Sequence, residues 1–229
     1  MKQERGCALN DFMERIKRNN EYYDLFSHVV EQRTQTRDYG KWIETFCRNI
    51  PTGGRILDIG CGTGVHMSMF LARGFDVIGV EPSPGMRQVA ASRGILVVDG
   101  AFEMLDQLDL PKVNAIWCAA SLLHVPASRL TDVLLVLRSL LLSEGVLYIT
   151  VRLGEGSKWD NFDGSNDAVA RFIQLYDESL LIAALLESGY QVVTKEIEAS
   201  YWGRPSRWIN LLARVAWRGH AEVSGESPI

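Results

Sequence analysis

Cysteine is scarce in this chain and follows no pattern. The 229 residues hold four, Cys7, Cys47, Cys61 and Cys118. No two stand at the short spacings of a zinc site or a redox pair, so no metal is expected and the thiols read as reduced in a cytoplasmic protein. Long apolar runs are also missing. MKQERGCALNDF has no apolar core of a secretory leader, and no stretch reaches the roughly 20 residues that cross a bilayer, which argues against a membrane protein. Basic excess is absent: 24 Lys and Arg against 28 Asp and Glu leave a net charge of −4, which disfavours a nucleic-acid groove. Repeats and low-complexity tracts are missing, and only Gly219 to Ile229 looks loose. With 47% hydrophobic and 23% charged residues, this is ordinary globular composition. It fits a helical segment over residues 1–50, one domain over 51–218 and a tail over 219–229, as a monomer or homodimer.

What the chain does have is a glycine cluster at the end of an apolar run. In RILDIGCGTG, residues 55–64, Ile56, Leu57 and Ile59 lead into Gly60, Gly62 and Gly64. This predicts a buried strand breaking into a tight turn that opens a helix. Such a turn lets backbone approach a ligand where a Cβ would collide. A phosphate-cradling loop needs G-x-x-x-x-G-K-[ST], but no Lys or Arg follows before Arg73. A dinucleotide loop needs G-x-G-x-x-G, but the sixth position is Val65 or Met67, depending on the starting glycine. What remains is D-x-G-x-G-x-G, with a carboxylate at Asp58 that repels a pyrophosphate and attracts a cationic ligand.

LDIGCGTG resembles the first motif of the class I S-adenosylmethionine-dependent methyltransferases. S-adenosylmethionine carries a sulfonium, an amino group and no phosphate. The resemblance implies Asp58, Gly60, Cys61, Gly62 and Gly64 as cofactor-binding residues, and S-adenosylhomocysteine as product.

The rest of the chain alternates. Helices are expected near Asn10–Asn19, in EYYDLF and over Tyr39–Cys47, ended by Pro51 and the Gly53-Gly54 pair. Strands are expected at Phe75–Val80, Ile95–Val98, Val113–Cys118, Gly145–Val151, Gln191–Ile197 and Arg207–Val215, with helices between the earlier ones. The last two strands are joined by a loop without a helix, which predicts an antiparallel hairpin. The fold class is therefore α/β: a Rossmann-like, seven-stranded, mostly parallel sheet with an antiparallel last strand and helices on both faces. This matches the fold of the resembled family.

Ligands of such sheets bind at the carboxyl ends of the strands. Glu81 ends the second strand, where a carboxylate can accept from both ribose hydroxyls; the family's acid in this place has that role. Pro82, Ser83 and Met86 follow, where the family stacks an apolar residue on adenine. After the third strand, Ala101 and Phe102 stand where the related pattern carries an acid and an apolar residue; Phe102 and the Ala101 backbone are expected to hold the base, with Asp99 or Glu103 left to take the adenine amino group. Cys118 to Ser121, with Ala119 between them, are expected to run beneath the methionyl part of the cofactor.

Catalytic candidates are His124 and Tyr23. His124 matches the second His of the family's L-H-H-V element, while Leu123 replaces the first; the alternative for His124 is a structural hydrogen bond. Tyr23 lies in the segment expected to close as a lid, where it touches cofactor or substrate, or simply packs beneath the lid. The polar stretch after the fifth strand resembles a type 11-like bacterial subgroup in Arg171, Phe172 and Tyr176, with Arg152 in place of a Lys. Arg152, Arg171 and Tyr176 are thus candidates for binding substrate, and the two arginines suit an anionic small molecule. Asp177 reads as a helix N-cap. In YWGRPSRWINLLARVAWRGH, Trp202, Trp208 and Trp217 interleave with Arg204, Arg207, Arg214 and Arg218; with the net negative charge this reads as an edge hairpin rather than an RNA surface. The expected activity is methyl transfer to a small molecule. RNA or protein methylation and a non-catalytic cofactor-binding module are the alternatives.

Overall fold

The computed structural model describes residues 2–161, 169–199 and 206–216, with side chains from residue 13 onward. The expectations placed on Trp202, Arg204, Trp217, Arg218, the tail and the side chains of Cys7 and Phe12 lie outside the described residues.

The apolar run at RILDI forms β1 (Arg55–Ile59), near the middle of a seven-stranded sheet. β1 pairs in parallel with β2 (Asp76–Val80) and β4 (Val113–Ala119), β2 with the two-residue β3 (Val97–Val98), and β4 with β5 (Leu141–Leu153). A further antiparallel pair, β8 (Tyr190–Ala199) and β9 (Arg207–Val215), completes the order β3-β2-β1-β4-β5-β9-β8, with β9 antiparallel to both neighbours. The α/β sheet with an antiparallel last strand is therefore as expected.

Period-two alternation sends successive residues to opposite faces. Leu57, Ile59, Ile116, Cys118, Leu147 and Ile149 enter one core with α6 (Leu130–Leu140) and α7 (Glu178–Glu187). Ile56, Ala115, Trp117, Val146 and Tyr148 enter the other, against Trp42, Ile43 and Phe46 of α3 (Gly40–Cys47) and Phe70 of α4 (Val65–Leu71). Trp117 and Tyr148 stack there at 3.8 Å between ring centroids. Asp177 caps α7 as expected, accepting from Ser179 N at 2.9 Å and Leu180 N at 3.1 Å.

Three local expectations needed correction. EYYDLF is not a separate helix: α1 runs unbroken over Lys2–Leu25. Asn19 and Asn20, poor helix formers, are held by contacts outside the helix. Asn19 Oδ1 accepts from Phe172 N at 2.7 Å, and Asn20 donates to the Pro82 carbonyl at 3.2 Å. A second helix, α2 (Ser27–Thr36), follows where none was expected. The long connection after β5 carries a small separate sheet, β6 (Ser157–Asp160) with β7 (Arg171–Gln174), which seats Arg171 opposite Asp160. Completing the helices is α5 (Pro84–Ser92), capped by the Ser83 hydroxyl.

Candidate active site

At the carboxyl ends of β1, β2, β4 and β5 lies a cavity of about 270 Å³, lined by strand-end loops below and by residues of α1 and α2 above. Its floor begins at the glycine loop. Gly60 takes φ +71°, and a Cβ there would stand 2.4 Å from Ser121 Cβ, so the fold itself requires this glycine. Gly62 differs: its φ is +56° but a Cβ would meet nothing within 4 Å. Its bareness keeps the cavity open rather than relieving a clash. Ala120, just beyond β4, also holds a left-handed φ of +55°, a conformation a non-glycine residue keeps only when its surroundings enforce it.

Glu81 is the polar centre of this end. Its side chain is buried; Oε2 accepts from Gly62 N and Oε1 from Ser83 N, both at 2.9 Å. Burial pushes its carboxyl up to about 7, against the pull of those two amides. A carboxylate offers about four lone pairs, so two remain for a ligand. Asp58 lies deeper. It does not line the cavity, and its Oδ2 has no hydrogen-bond partner among the described residues. Burial, then the charge of Glu81, raises its carboxyl well above the usual range. Pro82, Met86, Ala101, Phe102, Cys61 and Ala119 line the cavity; Gly64 and Ser83 stand behind it. The Ser83 hydroxyl caps α5 at Met86 N and donates to Asp24 Oδ1 at 2.6 Å, tying α1 to the strand end. Of the two acids left open for an adenine amino group, Asp99 is paired with Arg87 away from the cavity. Glu103 lines it, bound to Arg15 at 2.6 Å.

The other end gathers residues far apart in sequence. His124 Nδ1 lies 2.7 Å from the Phe172 carbonyl oxygen, which can only accept, so Nδ1 carries the proton. Burial, then the charge of Arg171, lowers the imidazole to about 3, so the ring is neutral and Nε2 is an acceptor. The Tyr23 hydroxyl, 2.7 Å away, therefore donates to Nε2, while its oxygen accepts from Arg171 at 2.7 Å. Arg171 Nε is buried without a partner among the described residues. Asp160 faces Arg152 at 3.6 Å and Lys158 at 3.0 Å. Tyr23, His124, Arg152 and Arg171 thus share one cavity wall. Tyr176 is not there. Its fully buried hydroxyl donates to the Val125 carbonyl at 2.6 Å, supporting the loop that carries His124 from behind. Cavity residues that sequence reasoning passed over include Arg15, Asn19, Arg33, Arg37, His66 and Asp160; in the sequence they read as solvated helix faces, core or loop.

A family model described as a methyltransferase domain matches residues 30–195. The chain belongs to this methyltransferase family. The 1,6-didemethyltoxoflavin-N1-methyltransferase of Burkholderia thailandensis, solved with its substrate and S-adenosylhomocysteine, shares the fold with a TM-score of 0.70. It is 16% identical, over 90% of each chain. The ubiquinone biosynthesis O-methyltransferase of Alkalilimnicola ehrlichii is 36% identical over 80 residues, 32% of each chain. The dTDP-4-amino-2,3,4,6-tetradeoxy-D-glucose N,N-dimethyltransferase of Saccharopolyspora spinosa is 32% identical over 71 residues, 31% of this chain and 28% of that one. The chain spans about half or less of the length of the curated relatives it matches.

The methyltransferase family's methyl donor, S-adenosylmethionine, fits the donor set on the page. Glu81 keeps lone pairs for two hydroxyls, Gly62 leaves backbone bare, and Met86 and Phe102 offer apolar surface for a base. No cluster of His, Cys, Asp or Glu among the described residues could hold a metal. Among the same residues, no helix is long and apolar enough to cross a membrane.

Proposed function

We propose that this chain transfers a methyl group from S-adenosylmethionine to an N–H or O–H group of a small, anionic acceptor. When bound, the cofactor supplies an electrophilic methyl on a sulfonium sulfur. The chain's own part is alignment, which alone can supply much of the rate.

One observation carries the reading: the hydrogen-bond accounting at Tyr23. Its proton goes to His124 and one lone pair takes the Arg171 proton. Its oxygen can then only accept from a ligand, so it suits an acceptor that brings its own N–H or O–H. Holding that hydrogen turns the nucleophile's lone pair away from Tyr23, toward an incoming methyl. His124 orients the tyrosine; its lowered basicity makes it a positioning residue. As the nucleophile bonds to the methyl carbon, the S–CH3 electron pair stays on sulfur, giving S-adenosylhomocysteine, and the proton displaced from the methylated nitrogen or oxygen is released to water. The acceptor's charge follows from the walls, where five arginines (Arg15, Arg33, Arg37, Arg152, Arg171) face three acids (Glu81, Glu103, Asp160). Arg171, which donates to Tyr23, and Arg152, which faces Asp160 on the same cavity wall, are the residues assigned to the anionic group. α1 and α2 act as the lid, and their cover over the cavity favours a small acceptor over RNA or protein.

The test is methyl-labelled S-adenosylmethionine with a metabolite extract and a macromolecular fraction. Label is expected in small molecules and to be lost with Arg171→Gln. Label confined to macromolecules, or none in either fraction with the cofactor demonstrably bound, overturns the reading.

A further inference from the structure

His66 has no part in the network above. It stands in the first turn of α4, only 7% exposed, and lines the cavity. The Trp117 indole N–H, which can only donate, lies 3.2 Å from His66 Nδ1. Nδ1 must therefore be the bare, accepting nitrogen. With the ring neutral, its proton is on Nε2, the tautomer opposite to that of His124. Burial, then the charge of Arg37, keeps the ring neutral by lowering it to about 3. Tyr39 packs on its edge at 4.5 Å between ring centroids and holds its orientation. The Nε2–H is buried without a partner among the described residues, which leaves a hydrogen-bond donor without an acceptor (a costly state unless a ligand supplies one).

Its location says which ligand atom this is. The sheet runs β2-β1-β4. Glu81, the ribose acceptor, lies at the β2 side of the glycine loop, whereas His66 is bonded to Trp117 of β4, on the opposite side. Arg37, whose guanidinium lies 4.5 Å above the Tyr39 ring, lines the same wall. An extended ligand whose ribose is on Glu81 and whose sulfur crosses the glycine loop places its amino-acid tail there.

From this geometry we infer that His66 Nε2–H is a fixed hydrogen-bond donor for the α-carboxylate of the bound cofactor, with its tautomer set by Trp117. This rests on the cofactor reading above.

Two experiments test it. In ¹⁵N-correlated spectra of the wild-type protein, with His66→Gln supplying the assignment, His66 should show a bare Nδ1 and a protonated Nε2. Its Nε2–H should move downfield when S-adenosylhomocysteine is added. It should stay in place with decarboxylated S-adenosylhomocysteine, which keeps the amine and lacks the carboxylate. In calorimetry, His66→Leu should bind S-adenosylhomocysteine roughly tenfold more weakly while its affinity for the decarboxylated compound is unchanged. A protonated Nδ1, or equal responses to the two compounds, overturns the inference while leaving the cofactor site intact. If the wild-type protein binds neither compound, the cofactor reading itself fails.

Discussion

Glu81 offers the sharpest quantitative prediction. Its carboxyl, raised by burial from 4.5 to about 7, stays protonated in the folded protein over a range where the unfolded chain has already lost the proton. That rise corresponds to roughly 3 kcal/mol. The sign is opposite to the usual carboxylate: the penalty is absent below the unfolded value near 4.5, grows as pH rises, and is complete above about 7. Stability of the ligand-free protein should therefore fall across that window. Asp58 pushes in the same direction, since burial raises it too, so the test is a difference. Chemical denaturation of wild type and Glu81→Gln at half-unit steps from pH 4.5 to 8 should show two curves diverging by roughly 3 kcal/mol, the variant being relatively more stable at high pH. Cofactor affinity should run the other way. Ribose hydroxyls donate to an ionised carboxylate, so affinity for S-adenosylhomocysteine should rise about tenfold per pH unit up to about 7 and then level off. Parallel stability curves, or an affinity indifferent to pH between 5 and 7, would refute the placement of Glu81 as a buried acid that ionises to take the ribose.

Other consequences follow from the same contacts. Gly60→Ala should cost more than the roughly 1–2 kcal/mol of a left-handed backbone alone, because its Cβ meets Ser121; Gly62→Ala, with open space, should cost only about that much stability yet abolish binding in calorimetry. Tyr23→Phe should lower kcat roughly tenfold, the worth of a hydrogen bond, with little change in cofactor affinity; a kcat equal to wild type would remove Tyr23 from the acceptor site. Tyr176→Phe should leave KM for the acceptor unchanged and lower stability by about 1 kcal/mol, since it loses only the bonds to the Val125 and Leu122 carbonyls; a raised KM would return Tyr176 to the substrate wall.

The sheet was legible because apolar runs of strand length alternate with helical patterns and end in glycine or proline. Glu81 was legible for a similar reason, as the first polar residue after FDVIGV. The missing parts share a physical cause: they depend on contacts between distant residues. Nothing local marks Ser27–Thr36 as a helix, because it is held by packing against α1, α4 and α5 and by the Glu31–Arg93 ion pair. Tyr23 and His124 are 101 residues apart and Tyr23 and Arg171 are 148 apart; no local spacing encodes their alignment, and a pairing of β6 with β7 is needed to seat Arg171. His66 sits in an apolar stretch, VHMSMFL, and reads as core until Trp117 is seen to fix its tautomer. Tyr176 shows the reverse failure. A polar tip in a rim segment suggested recognition, and the fold spent that hydroxyl on a backbone carbonyl.

The central claim is that Tyr23 presents an acceptor N–H or O–H to the methyl donor. The most direct measurement is mass-spectrometric localisation of the transferred methyl in the product formed from a small-molecule extract, quantified against S-adenosylhomocysteine. The account predicts equal amounts of the two products, with the new methyl on nitrogen or oxygen of an anionic compound. A methyl placed on carbon or on a ring nitrogen that bore no hydrogen would contradict it.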